Sequence, residues 1–234
     1  MLLKACLNGG RSREEHPAVP LTPDEIARDA AAAVAAGAGA VHVHPRDGSG
    51  AETLDPAACA ATVTALRPAG VPVGLSTGLW IEGTASARLA EISRWHVLPD
   101  FVSVNVYEEG AAELCDLLAA RGVGLEAGLA TVEDVSRMPS ADWLRVLVEV
   151  EEPEPSAAVA AAASISAALR SVGVSAPQLH HGEGVATWAV LKEAIKGGFD
   201  VRVGLEDTLV LPDGRVARDN AELVSAALSW IGVV

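Results

Sequence analysis

Ala40-Val41-His42-Val43-His44 is a short apolar run carrying two imidazoles, and Pro45-Arg46-Asp47-Gly48 ends it in a turn. A valine-rich run of this length, bounded by turn residues, reads as a buried strand. Upstream of it, Thr22-Pro23-Asp24-Glu25 has the marks of a helix start: an N-cap threonine, proline at the first helical position and glutamate three residues after the cap. Gly37 and Gly39 stop that helix. A helix feeding a buried strand is one step of a βα repeat, and the same alternation recurs to both sides. The strand-like runs are Lys4 to Leu7, Ala40 to His44, Pro72 to Leu75, Phe101 to Asn105, Val123 to Glu126, Arg145 to Val150, Gln178 to His181 and Val201 to Leu205. Eight such runs in 234 residues predict a (β/α)8 TIM barrel forming a single domain over 1–234. That length is near the compact limit of a fold in which roughly 250 residues is typical.

The segments between the runs fit this reading. Ala30 to Ala33 and Ala160 to Ala163 fall among Val and Ile at helix-compatible positions. Thr131-Val132-Glu133-Asp134 looks like a second helix start, and Gly173 ends the Ala-rich helix after Pro155. Glu149 to Ser156, with four glutamates and two prolines, reads as a surface loop after the sixth strand. Half the residues are hydrophobic but only 3% are aromatic, so the core has to be closely packed Ala, Val and Leu, which suits helices laid on parallel strands.

The net charge of -14 opposes any general affinity for nucleic acid or anionic membrane, and an anionic ligand would need a local cluster of Arg or helix N-termini. No segment is apolar for long enough to span a membrane. Cys6, Cys59 and Cys115 are odd in number and form no C-x-x-C pair, so a reducing, cytoplasmic setting is expected.

His42 and His44 are two apart on a strand, so both side chains point to one face, and they sit at its C-terminal end, where barrel active sites are built. Two imidazoles with a carboxylate make a common catalytic zinc site, whereas a pair of hydrogen-bonded histidines filling the barrel is the structural alternative. The other end of the chain bears on the choice. Val201 to Asp207 forms the last strand and its exit, and barrel closure brings Arg202, Glu206 and Asp207 to the first strands. Buried carboxylates need a cation, so a divalent metal between the histidines and Glu206 is sensible; a surface salt-bridge cluster around Arg202 is the alternative.

In these residues the chain resembles the beta-keto acid cleavage enzymes. The resemblance rests on Asn8-Gly9-Gly10, on Glu15-His16-Pro17 through Ile26-Ala27, and on His42-Val43-His44-Pro45-Arg46-Asp47. It resumes at Arg202-Val203-Gly204-Leu205-Glu206-Asp207, with Asp219-Asn220 and Leu223-Val224 beyond. It implies zinc held by His42, His44 and Glu206, and a homo-oligomer, usually a tetramer. The implied reaction condenses a beta-keto acid with acetyl-CoA to give acetoacetate and a new acyl-CoA. Asp207 would be the base, Arg202 would hold and orient it, and Ser76, with Thr77 beside it, would seat the substrate carboxylate. Ser76 and Thr77 simply closing a turn is the plain alternative.

The chain also departs from the family. Where relatives commonly carry a glutamate that reads a substrate amino group, this chain has Arg11, which would favour an anionic or neutral tail if it points inward. After strand four the family hydroxyl is missing from Asn105-Val106-Tyr107-Glu108-Glu109, leaving Asn105 as the substrate-binding candidate. One of His180 and His181 must face the interior, more as a satisfied structural histidine than as a substrate contact. Glu126 reads as a buried polar residue or a partner for a metal-bound histidine. Trp230, Ile231, Val233 and Val234 make an apolar C-terminus suited to a subunit contact. Two other readings stay open: a metal-dependent aldolase or hydrolase that uses no CoA, and a non-catalytic ligand-binding barrel that has kept its metal.

Overall fold

Short parallel strands leave unpaired backbone at both sheet edges, and closing the sheet removes those edges. The computed structural model describes residues 1–232, so Val233 and Val234 lie outside the described residues. It begins β1 (Leu3–Cys6), α1 (Pro23–Ala35), β2 (Ala40–Val43), α2 (Pro56–Leu66), β3 (Val73–Ser76), α3 (Leu79–Glu82), α4 (Ala85–Ser93), β4 (Phe101–Asn105) and α5 (Ala111–Ala119). It continues β5 (Gly124–Leu129), β6 (Trp143–Val150), α6 (Pro155–Ser171), β7 (Gln178–Gly182), α7 (Thr187–Lys196), β8 (Asp200–Val203) and α8 (Asn220–Ile231). Each strand pairs in parallel with the next, and β8 returns to β1 through Leu3–Val201, Lys4–Arg202 and Ala5–Val203, closing an eight-stranded barrel. The Thr22-to-Glu25 capping box and Pro23 start α1 as expected, and Gly173, at φ 77°, follows the end of α6.

Two connections differ from the expectation. Thr131 to Asp134 opens no α-helix: Glu133–Arg137 makes a 3-10 helix, the Asp134 carboxylate accepts from Ala130 N and Thr131 N, and Pro139 ends the segment before β6 begins. The acidic stretch after strand six is shorter than the surface loop expected. β6 runs through Glu149 to Val150, and Glu154 already caps α6, accepting from Ala157 N. Trp230 packs edge-on against Trp188 with ring centroids 5.4 Å apart and, like Ile231, stays half-buried.

Below the cavity described in the next subsection, the barrel interior holds an ionic layer rather than aliphatic side chains alone. Lys4 Nζ donates to Glu126 Oε2 at 2.7 Å and Arg145 Nη1 to Glu126 Oε1 at 2.6 Å, while Lys4 also lies over the Phe101 ring. Glu126 therefore serves two cations and no histidine. Removing one partner of such a buried pair strands the other charge, at about 3–5 kcal/mol. Gly74 makes room for Phe101, whose ring a Cβ at that position would strike. The three cysteines are free and buried. Among the described residues no helix is long and apolar enough to cross a membrane.

One buried amide locks the seam of the barrel. Asn220 Nδ2 donates to Leu7 O at 2.8 Å and to Asp29 Oδ2 at 2.6 Å, and its Oδ1 accepts from Leu205 N at 2.7 Å. Burial outweighs the Asn220 bond and, with Asp219 nearby, pushes the Asp29 carboxyl from 3.8 up to about 7. The folded chain thus keeps a proton that the unfolded chain releases near 3.8, so stability falls as pH rises from there to about 7. Asp29→Asn removes the titrating group. In melts followed by circular dichroism it should exceed wild type by roughly 4 °C at pH 8, with the gap closing near pH 4; a gap independent of pH would contradict this assignment.

Candidate metal centre

Period-two alternation on β2 and its exit turns His42 and His44 to the same side, and both are buried. Their rings meet edge-on with centroids 5.2 Å apart. Asn8, fully buried after β1, clamps the backbone there: its Oδ1 accepts from His44 N at 2.9 Å, and its Nδ2 donates to His44 O at 2.9 Å and Pro20 O at 3.1 Å.

Glu206 arrives from the exit of β8. Gly204 permits that turn, because a Cβ there would run into the Cys6 carbonyl, and Asn220 accepts from Leu205 N one residue before the site. Gly9, at φ +50°, lies against the Glu206 side chain where a Cβ would collide with its Cγ. Glu206 Oε1 stands 3.9 Å from His42 Nε2, and Oε2 stands 3.6 Å from His44 Nε2. One ligand atom from each of the three residues lies within 4.8 Å of the others.

This donor set fits a divalent metal. Donors at zinc bond lengths of roughly 2.0–2.1 Å sit roughly 3.4 Å apart around a tetrahedron, so small side-chain adjustments bring all three onto one ion. His42 Nδ1 and Glu206 Oε2 are buried and have no hydrogen-bond partner among the described residues. A metal at His44 has to displace a proton, whereas His42 is already in its ligating form. Burial holds His42 well below its usual pKa, leaving a neutral imidazole, whereas for His44 Glu206 and Glu52 outweigh burial and push the pKa up to about 9. Glu206 is desolvated, yet Arg202 and the two histidines keep it ionised, well below the ordinary carboxylate range.

Behind the histidines is a support that the sequence reading missed. Glu52 Oε1 lies 2.5 Å from His44 Nδ1, and Trp80 Nε1 donates to the same carboxylate at 3.2 and 3.3 Å while its ring stacks over His44. An antiparallel bridge between Arg46 and Glu52 folds the intervening loop back. Glu52 is eight residues from His44 on a loop of no fixed period, so no local pattern announces it.

Arg202, on β8, donates Nε and Nη2 to Asp207 Oδ1 at 3.0 and 2.7 Å, and Nη2 also to Glu206 Oε1 at 2.9 Å. Burial raises the Asp207 carboxyl above its ordinary range despite Arg202, and Asp207 Oδ2 has no partner. Asp207 is fully buried and lies behind the wall of the cavity.

The cavity, of about 220 Å³, opens at the C-terminal end of the barrel over His42, His44 and Glu206. Ser76 and Asn105 line it, Ser76 Oγ accepting from Gly78 N at 3.4 Å and Asn105 Nδ2 donating to Glu108 at 3.0 Å. Thr77 turns away and donates its hydroxyl to Ser103 O at 2.6 Å. Arg11 does not reach inward either: it pairs with Glu15 at 3.0 Å and donates to Glu206 O at 3.3 Å, so the anionic or neutral preference that depended on it has no support. The far wall is acidic instead, with Glu149, Glu151 and Glu183.

The strand-seven histidines divide. His180 faces outward, 3.1 Å from Ser166 Oγ and stacked on Phe199, beside a groove of about 280 Å³ outside the barrel. His181 faces the cavity with neither ring nitrogen hydrogen-bonded, 3.3 Å from Glu149 Oε1 and 3.7 Å from Asp207 Oδ1. The Arg145, Leu147, Glu149 alternation on β6 was the available signal for Glu149, hidden by the acidic loop that follows it.

The model of the beta-keto acid cleavage enzyme family matches residues 1–154 and 155–232. A 3-keto-5-aminohexanoate cleavage enzyme of Fusobacterium nucleatum subsp. nucleatum is 26% identical over 248 aligned residues, covering 96% of this chain and 88% of the relative. Among solved structures, ObcA in a ternary complex with a C4-CoA adduct and oxalate superposes with a TM-score of 0.70 at 18% identity. That match covers 91% of this chain but only 63% of ObcA, so the chain spans less than two thirds of that protein. A native KDPGal structure matches with a TM-score of 0.64 at 17% identity over 100% of this chain and 95% of its own. At these identities the structural likeness concerns the barrel alone.

If Glu52 orients His44, Glu52→Gln should weaken zinc binding by about 10–100-fold in competition with a chromogenic chelator, without changing the circular dichroism. Unchanged affinity would show that His44 needs no carboxylate behind it.

Proposed function

Because the chain belongs to the beta-keto acid cleavage enzyme family, we propose that it is a zinc-dependent enzyme that condenses a beta-keto acid with acetyl-CoA. The products are acetoacetate and a new acyl-CoA. The observation that carries this reading is the convergence of His42, His44 and Glu206 on one point of a polar cavity, with the Arg202–Asp207 pair directly behind it. A donor set of two imidazoles and one carboxylate favours zinc, which leaves a coordination position open and, when bound, polarises a carbonyl oxygen as a Lewis acid.

The chain's own groups supply the rest. Ser76, with its hydroxyl on the cavity wall and the backbone of the following turn beside it, is the seat for the substrate carboxylate. Asn105 holds the acyl portion, in the place left by the family hydroxyl. Asp207 is the base for the proton on the carbon between the two carbonyl groups. Desolvation strengthens it, and Arg202 fixes its Oδ1 so that Oδ2 is the atom left to accept a proton. The same guanidinium steadies Glu206, so base and metal ligand move as one unit. A homotetramer is part of the same reading, from the family resemblance.

One observation favours the CoA-independent alternative: Glu151 and Glu183 stand exposed at the cavity mouth, where they repel the phosphates of CoA. Zinc-loaded protein supplied with short 3-keto acids, with and without acetyl-CoA, separates the two. Acetoacetate and acyl-CoA should appear together and only when acetyl-CoA is present, and Asp207→Asn should lower kcat by about 100-fold or more. Cleavage without acetyl-CoA would favour the aldolase or hydrolase, and binding without turnover across the acids would favour the non-catalytic barrel.

A further inference from the structure

The condensation removes a proton from carbon, and the cleavage that follows must give one back. When the carbon–carbon bond to the departing acyl group breaks, its electron pair stays on the carbon of the future acetoacetate, which needs a proton to leave as product. Asp207, once protonated, can return that proton, but Glu206 is committed to His42, His44 and Arg202, so a second acid on the cavity wall is what would let the return proceed independently of the base.

Glu149 and His181 are register neighbours on β6 and β7, and both turn into the cavity. Of the carboxylates on the cavity wall, Glu151 and Glu183 are exposed at the mouth, whereas the Glu149 side chain is 18% exposed and, among the described residues, pairs with no Lys or Arg and meets the His181 ring. Gly128 keeps the space in front of it open, since a Cβ there would press on Glu149 Oε2 and Asn105 Oδ1.

His181 lies between two carboxyl groups, and their chemistry sets its tautomer. Asp207 Oδ1 accepts both Arg202 N–H groups and stands 3.7 Å from His181 Nδ1, too far for a hydrogen bond but near enough that its negative potential favours the ring proton on Nδ1. Nε2 is then a lone pair facing Glu149 Oε1 at 3.3 Å, a contact that is favourable when Glu149 carries a proton and unfavourable when it does not. Burial, opposed in part by Arg202, raises the Glu149 carboxyl above its ordinary range, and burial with Arg202 lowers His181 to about 3, so the imidazole stays neutral.

We propose that Glu149 is a further catalytic residue of this site, the acid whose O–H protonates the carbon released as acetoacetate, with His181 as its positioning residue. This rests on the acyl-transfer reading above. The C–C electron pair becomes the new C–H bond, Glu149 is left as carboxylate, and water at the cavity mouth returns its proton. The proton taken up by the base goes to solvent, so the cycle balances.

The test separates the two proton steps. With short 3-keto acids and zinc-loaded holoenzyme, hydrogen–deuterium exchange at the carbon between the carbonyls, followed by NMR without acetyl-CoA, reports the base. Acyl-CoA formation reports the whole cycle. Glu149→Gln should lower kcat by about 100-fold while exchange, KM and zinc content stay near wild type; Glu149→Asp, which keeps an acid and checks the fold, should recover part of the rate. His181→Ala should lower kcat by about 10-fold and regain activity with added imidazole. A wild-type kcat in Glu149→Gln, or an exchange rate that falls in step with kcat, would overturn the acid assignment, and no rescue by imidazole would overturn the positioning role. Wild type that exchanges but makes no acyl-CoA would instead sink the acyl-transfer reading, and the acid with it, before any variant is made.

Discussion

The Arg202 guanidinium spans two carboxylates, giving Nε and Nη2 to Asp207 and sharing Nη2 with Glu206. That fork joins the last strand to the histidines on β2 through the closed seam of β1 and β8. Arg202 and Asp207 are buried and Glu206 is largely so, and a desolvated cation with two desolvated anions is tolerable only as a unit, since removing a buried member leaves a charge stranded at about 3–5 kcal/mol. The glycines follow from it: Gly204 lets the turn pass the Cys6 carbonyl, and Gly9 lets the first loop lie against Glu206. Asn220 and Asn8, both fully buried, then hold the two backbone segments that carry the ligands.

Much of this arrangement was legible in the sequence. The eight strand runs were visible because a barrel strand buried on both faces is a near-continuous apolar run, and the strand boundaries moved by only a few residues. His42, His44, Glu206 and Arg202 were placed together because period-two alternation and barrel closure are geometric rules independent of sequence detail. Thr131 to Asp134 misled because the same capping residues start a 3-10 helix as readily as an α-helix when the segment is too short to continue.

What escaped notice was whatever depends on where a loop folds or which way a lone side chain turns. Glu52 reaches His44 only because the 45–53 loop doubles back, and Arg11 is drawn from the cavity by Glu15, four residues on. His180 and His181 were indistinguishable until the register of β7 set one against Phe199 and the other against Glu149. Glu126 sat at the expected depth, but Lys4 and Arg145, not a histidine, claim both of its oxygens.

The site thus separates into a basic support, Arg202 with the buried carboxylates behind it, and an acidic front at the cavity wall, with the two histidines between. A metal reconciles these parts: Glu206 Oε2, without a hydrogen-bond partner among the described residues, stands with His42 Nε2 and His44 Nε2 in a group that otherwise has little reason to crowd together in a desolvated pocket. The most direct measurement is the metal content of purified protein after zinc loading and exhaustive dialysis, compared among wild type, His42→Ala and Glu206→Ala. Wild type should hold about one zinc per chain and each variant far less. Zinc retained at the wild-type level in both variants would contradict the site.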